Sequence, residues 1–310
     1  MNNKCILKLE NITKKYKDIT VLNNINLQLE EGKIYGLIGL NGAGKTTLMK
    51  IIAGFINPSS GKILIFGETG DKELKNQRTR IGCFIQSSGI LDNMTAEENM
   101  NFHRIMKGIP NEEITDELLE IVNLKNIKNI KNKKVKEYSL GMRQRLEIAI
   151  ALIGNPDLLI LDEPVNGLDP VAIVEVRNML KKLVEVRHIT IFISSHILSE
   201  LYTLASDYIV MKKGEIKEQI TIKDIKESCK RYLLLKSNEP DRMAFVIEDK
   251  LNTRNYIVMP DGSIRLYDYT ENREKVAEAF LNERVLITNL SCEGDSLEDY
   301  FLKIIGEENV

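Results

Sequence analysis

A compact apolar strand at 33–38 runs directly into Gly39-Leu40-Asn41-Gly42-Ala43-Gly44-Lys45-Thr46, and a helix-forming stretch follows at 45–53. The run fits G-x-x-x-x-G-K-[ST] at every position. Glycines let successive backbone N–H groups turn inward around phosphate oxygens. The helix behind them offers its positive N-terminal end to the same anion. Gly39, Asn41, Gly42, Ala43, Gly44, Lys45, Thr46 and Thr47 are therefore the expected nucleotide contacts, with Lys45 on the β/γ-phosphates and the Thr46 hydroxyl on Mg²⁺. A plain strand-to-helix glycine turn is the bland alternative, and the full motif between two fitting elements speaks against it.

Leu158-Leu159-Ile160-Leu161-Asp162-Glu163 is an apolar strand ending in two carboxylates. Beside a phosphate loop, a carboxylate at a strand's C-terminal end holds Mg²⁺ or its water shell, the role expected of Asp162. Glu163 can then point at a water behind the γ-phosphate. Alone, this run reads equally well as a strand ending in surface acids; the loop upstream decides. A third strand, 190–194, leads to Ser195-His196, a histidine at the strand end where α/β sheets collect ligands.

Strand-like and helix-like segments alternate from the start, and strand 158–161, helix 171–186 and strand 190–194 imply parallel strands with crossover helices. Between 91 and 152 the pattern is mostly helical, with helices expected at 95–105 and 114–122. The first domain is expected over 1–220, with a helical subdomain at about 87–152. Residues 212–217 read as a turn with Gly214 at its tip. Beyond them come strand 232–236, helix 241–250, strand 256–259, turn Pro260-Asp261-Gly262, strand 264–268, helix 272–282 and strand 285–289. A last helix opens at Ser296, with Asp299 three residues on in a capping-box-like start. The order strand–helix–strand–strand–helix–strand predicts a small α+β, ferredoxin-like domain over 221–310.

Composition narrows the function. Forty-three basic residues against 45 acidic ones give a net charge of −2, without the positive surplus that nucleic-acid binding needs. No apolar run approaches the roughly 18 residues of a spanning helix, and no secretion signal opens the chain. Cys5, Cys83, Cys229 and Cys292 form no Cys-x-x-Cys pair, so a reduced cytoplasmic protein without zinc is expected. The lysines between 125 and 136 read as a solvated face, with weak attraction to lipid headgroups as the sharper alternative.

Tyr138-Ser139-Leu140-Gly141-Met142-Arg143-Gln144-Arg145 opens just upstream of the acidic strand, its Ser139 lying 23 residues before Asp162. It resembles the signature motif of ATP-binding-cassette (ABC) ATPases. Gln86 after an apolar strand, Asn166-Gly167-Leu168-Asp169-Pro170 after the acidic strand, and Ser195-His196 arrive in that family's order. Tyr16 stands where the family stacks an aromatic on adenine. The resemblance covers roughly 5–220. Leu140 replaces the first glycine of the common signature and Met142 its glutamine, a form similar to the branch that exports bacitracin-type and other peptide antibiotics with separate membrane subunits. The short C-terminal extension fits that branch too. Lantibiotic-immunity subunits often carry Glu in the glutamine loop; Gln86 counts against that narrower assignment.

The resemblance implies an α/β P-loop NTPase cassette, a mixed sheet with helices plus a helical subdomain, that binds ATP and Mg²⁺ and hydrolyses ATP. It implies a head-to-tail pair with an identical or paralogous chain, in which each ATP touches the phosphate loop of one chain and Ser139 and Gly141 of the other. Ser139 and Gly141 open a helix, so its N-terminus can complete the anion's cage. By the same resemblance Glu163 polarises the attacking water, His196 holds the γ-phosphate, Gln86 senses Mg²⁺ and water, Asp169 carries contact between the two sites, and Tyr16 stacks on adenine. A multi-span permease is the expected partner, docked on the helices after residue 87, with the chain at the cytoplasmic face of the membrane and no nucleic acid bound. The expected function is powering export of a peptide antibiotic or other amphipathic compound, for resistance or self-immunity. A soluble ABC ATPase acting on ribosomes or DNA is the alternative from another class. The ribosome type usually joins two cassettes, and this chain has one phosphate loop. The DNA-repair type inserts a long coiled coil, whereas here 94 residues without sustained heptads separate Lys45 from Ser139. Importers with regulatory C-terminal domains usually carry larger ones than 221–310.

Overall fold

The computed structural model describes residues 4–85, 89–125, 127, 130–197, 201–294, 300–301 and 304. The chain divides into two compact units, 1–222 and 223–310.

In chain order the first unit holds β1 (Cys5–Tyr16), β2 (Ile19–Glu30), β3 (Ile34–Ile38), α1 (Lys45–Ala53), β4 (Ser60–Ile65), α2 (Asp71–Gln77) and β5 (Ile81–Phe84). Then come α3 (Ala96–Met106), α4 (Glu113–Ile121), α5 (Leu140–Leu152), β6 (Leu158–Asp162), α6 (Pro170–Arg187), β7 (Thr190–Ser195), β8 (Asp207–Lys212) and β9 (Glu215–Thr221). β3, β6 and β7 are buried along their whole length. Continuous apolar runs of this kind belong to parallel strands covered on both faces. They lie in a six-stranded sheet of order β5-β6-β7-β3-β8-β9, parallel except for the β8–β9 hairpin. β1 alternates instead, and pairs antiparallel with β2 and β4 in a separate three-stranded sheet.

α1 joins the two sheets. Leu48, Met49, Ile51 and Ile52 on α1 pack in one cluster with Leu7, Leu9 and Leu27 from the antiparallel sheet and Leu37, Ile160 and Phe192 from the parallel one. Burial of about 1.5–3 kcal/mol per large side chain fixes the helix against both. α3 starts in a capping box: Thr95 Oγ1 accepts the Glu98 N–H at 3.2 Å, and a Glu98 carboxylate oxygen accepts the Thr95 N–H at 2.8 Å.

Strand order places the site. β7 lies between β6 and β3, with Asp162 opposite Ser194 and Ile38 opposite Ser195. The loop after β3, the acids ending β6 and the histidine after β7 thus share one edge of the sheet.

The first unit differs from the sequence expectation at the turn before β9. The turn at 212–217 is confined to Lys213 and Gly214, both with positive φ (48° and 78°), as a two-residue hairpin requires. β9 already begins at Glu215. Its half-exposed, largely polar alternation hid it. β4 and α2 have no counterpart in the sequence reading.

The second unit holds α7 (Ile222–Ser228), whose first residue closes the first unit, then β10 (Tyr232–Ser237), α8 (Pro240–Asp249), β11 (Tyr256–Val258), β12 (Ile264–Leu266), α9 (Arg273–Asn282) and β13 (Ile287–Glu293). Its sheet runs β11-β12-β10-β13, antiparallel throughout, the order of a split β-α-β arrangement. Leu233, Leu235, Ile264 and Leu266 of the sheet pack with Met243, Val246 and Ile247 of α8 and Val276 and Phe280 of α9. The last strand lies further along than the expected 285–289. Arg284 at φ 56° and the Val285 N–H, which donates to Phe280 O at 3.0 Å, still belong to the end of α9. The helix expected from Ser296 begins outside the described residues.

Candidate functional site

The loop after β3 is shaped by its own backbone. The Ala43 N–H donates to Leu40 O at 3.0 Å, and the Gly214 N–H at the tip of the β8–β9 hairpin donates to Ala43 O at 3.0 Å. No side chain fits at Gly214, since a Cβ there would lie 2.3 Å from Val21 O. Gly39 serves packing in the same way: a Cβ would stand 2.6 Å from Met211 O.

Lys45 is 6% exposed. Its Nζ donates to Gly39 O at 2.7 Å and lies 3.5 Å from Glu163 Oε1. The loop residues 41–47 line a cavity of about 370 Å³ with Val21, Glu163, Asn166 and His196. A buried cation, a ring of backbone donors and this volume fit a phosphate chain.

Behind the cavity, Thr46 Oγ1 donates to Asp162 Oδ2 at 2.7 Å, and Ser194 Oγ donates to Asp162 Oδ1 at 2.7 Å. Among the described residues no group of three or more His, Cys, Asp or Glu forms a metal cage. The Thr46 hydroxyl and Asp162 carboxylate are two hard oxygen donors, a set that suits Mg²⁺ completing its shell with phosphate and water. Glu163 turns away from Asp162 at φ 52°. Its Oε2 lies 2.6 Å from His196 Nδ1.

The structure thus brings Lys45, Thr46, Asp162, Glu163 and His196 together. Tyr16 stands apart from the cavity lining, about half exposed at the end of β1, with Lys14 Nζ 4.9 Å from its ring centroid. Gln86 lies outside the described residues. Ser139 and Gly141 are also absent from the cavity lining. Ser139 caps α5, its Oγ accepting the Met142 N–H at 3.3 Å. Asp169 caps α6, its Oδ1 accepting the N–H of Val171 at 3.0 Å and Ala172 at 2.9 Å. Gln144 Nε2 donates to Asn166 O at 3.1 Å and Arg145 pairs with Glu175 of α6 at 3.1 Å, which ties α5 to both sides of Asp169. Gln144 and Ser194 were not singled out from sequence. Their partners lie 22 and 32 residues away, and only strand and helix adjacency reveals them. Cys83 is partly buried, and burial pushes its thiol pKa up, so it stays a protonated filler.

A parallel sheet whose edge carries a phosphate loop, a buried lysine and two dissimilar acids defines a P-loop nucleotide-hydrolysing cassette. The ABC transporter family model matches residues 22–166. The chain is 39% identical to the bacitracin transport ATP-binding protein BcrA of Bacillus licheniformis, over 97% of both chains. It is 42% identical to the lantibiotic transport ATP-binding protein SrtF of Streptococcus pyogenes, over 68% of this chain and 89% of that one. The solved dimeric structure of the ATP-binding cassette MJ0796 in a post-hydrolysis state with ADP and Pi superposes with a TM-score of 0.63 at 29% identity, covering 70% of this chain and 99% of that one. The chain belongs to the ABC transporter family, as an ATP-binding, ATP-hydrolysing subunit. Among the described residues no helix is long and apolar enough to cross a membrane.

Proposed function

We propose that the chain supplies ATP-driven closure to a separate multi-span permease that exports a peptide antibiotic of the bacitracin type, from the cytoplasmic face of the membrane. One observation carries this reading. The identity with the bacitracin transport subunit extends through 97% of both chains, whereas the match to the lantibiotic subunit covers 68% of this one. The test is co-expression with the neighbouring permease in a bacitracin-sensitive bacterium. The inhibitory concentration of bacitracin is expected to rise, and to fall back when Glu163 is replaced by Gln. Unchanged sensitivity with both proteins present in the membrane overturns the assignment.

In this reading the N–H groups of residues 44–47, at the N-terminus of α1, and the Lys45 ammonium hold the triphosphate. Thr46 and Asp162 hold Mg²⁺, which when bound neutralises charge on the transferring phosphoryl group. Glu163 accepts the proton of the attacking water. His196, 2.6 Å from Glu163, steadies that carboxylate and faces the same cavity as Lys45. Gln86 joins the metal and water. Ser139 and Gly141 act on the nucleotide of a second chain in a head-to-tail pair, with Asp169 at the junction. The dimeric state of the MJ0796 cassette with ADP and Pi supports that pairing.

The two units have separate cores, which supports a domain boundary near residue 222. Truncation after Ile222 is expected to leave a chain that unfolds cooperatively and retains basal ATPase activity within about twofold, because no buried cluster of the first unit is removed. Circular dichroism and phosphate release check it. Loss of folding would show that the cassette depends on 223–310.

A further inference from the structure

Ser194 places a hydroxyl in a strand whose neighbours Ile191, Phe192 and Ile193 are apolar, and it is fully buried. Both functions of that hydroxyl are used. It donates to Asp162 Oδ1 at 2.7 Å and accepts the Glu163 N–H at 2.9 Å. Thr46 Oγ1 holds the other oxygen of Asp162, also at 2.7 Å. The Asp162 carboxylate is therefore gripped on both sides, which fixes the plane it presents to the cavity.

The bond to the Glu163 N–H falls where the backbone is hardest to hold. Glu163 leaves β6 at φ 52°, a region non-glycine residues occupy when their surroundings impose it. The turn separates the two consecutive acids. Asp162 stays on the strand, 7% exposed, while Glu163 swings out to within 3.5 Å of Lys45 and 2.6 Å of His196. Parallel pairing sets Ser194 directly opposite Asp162, so a single hydroxyl reaches the side chain of one acid and the backbone of the next.

We propose that Ser194 is a positioning residue for ATP hydrolysis, whose one hydroxyl fixes the orientation of the Asp162 carboxylate and the backbone turn that aims Glu163 into the cavity. This rests on the roles proposed above for Asp162 and Glu163. A serine that merely satisfied a buried acid would affect stability alone; a positioning serine also sets the response to Mg²⁺ and the rate of the chemical step.

The test uses the full chain with Ser194→Ala, Ser194→Thr, Asp162→Asn and the double replacement Asp162→Asn with Ser194→Ala. Fluorescent ATP binding in EDTA, the Mg²⁺ concentration that half-saturates nucleotide binding, kcat and KM are read with the unfolding midpoint. Ser194→Ala is expected to bind ATP in EDTA like the parent. Its Mg²⁺ midpoint should rise and its kcat fall, each by about 10- to 100-fold, the usual effect of removing a group that orients a metal ligand. Ser194→Thr keeps the hydroxyl and is expected to recover most of both. In the double variant the Mg²⁺ midpoint should match that of Asp162→Asn alone, because Ser194 acts through Asp162. Should Ser194→Ala not fold, Ser194→Cys, a similar volume with a weak donor, takes its place with the same expectations. Parental kcat and Mg²⁺ midpoint in Ser194→Ala, or additive effects in the double variant, overturn the inference and leave the site reading standing. A parental Mg²⁺ response in Asp162→Asn overturns the site reading and this inference with it.

Discussion

Glu163→Gln is expected to bind ATP at least as tightly as the parent, to hydrolyse it roughly 10²- to 10⁴-fold more slowly, the span a positioned general base contributes, and to accumulate as an ATP-bound pair of chains. The shape of the side chain is kept, so the contact with His196 at 2.6 Å still has an oxygen to use. Two things change. The amide takes no proton from water, which removes the chemical role. It also carries no charge, so Lys45, now 3.5 Å from a Glu163 oxygen, faces the phosphates without a competing carboxylate. Binding and chemistry therefore separate in this variant: affinity holds or improves while the rate collapses. Single-turnover phosphate release and size-exclusion chromatography with ATP give the two readings. Hydrolysis at the parent rate would assign the base to another group.

Lys45→Ala acts on binding instead. Lys45 is the buried cation of the loop, 6% exposed and held by Gly39 O at 2.7 Å. Truncating one partner of a desolvated, hydrogen-bonded charge pair costs about 2–5 kcal/mol, roughly 30- to several-thousand-fold in Kd. The loss goes beyond one contact. Without Lys45, the Asp162 and Glu163 carboxylates face an incoming triphosphate with one balancing charge fewer, so like-charge repulsion adds to the missing attraction. Titration with fluorescent ATP is the direct check. An unchanged Kd would remove the phosphate-loop assignment, whatever the turnover.

What the sequence could disclose depended on how far apart the cooperating residues lie. Residues 39–46 are contiguous, and their chemistry needs only a strand before and a helix after, so that part of the site was legible. Asp162 and Glu163 were legible as an acidic strand end, and the structure brings both to the loop upstream, Asp162 against Thr46 and Glu163 against Lys45. Ser194 was not, because its function arises from pairing β7 against β6, and nothing in the apolar run from Thr190 announces which strand lies beside it. Asp169 carried a second signal that went unused. An Asp directly before Pro170 is also a helix N-cap, and in this chain its carboxylate is engaged by the first turn of α6. In the second unit, Pro260-Asp261-Gly262 marked its turn correctly. The strand after α9 starts later than its apolar residues indicate, since the Val285 N–H caps the last turn of the helix.

The bond from Gly214 to Ala43 has an electrostatic consequence. A peptide loop that approaches an anion brings carbonyl oxygens as well as amides, and every free carbonyl repels what the amides attract. Here Gly39 O is met by Lys45, Leu40 O by the Ala43 N–H, Ala43 O by the Gly214 N–H and Gly44 O by the Leu48 N–H. The negative ends of these four dipoles are thus met by donors of the protein itself. The hairpin at 213–214 shares in this sorting of polarity from outside the cavity, so the affinity of the site for its anion is partly written in a turn that does not line it.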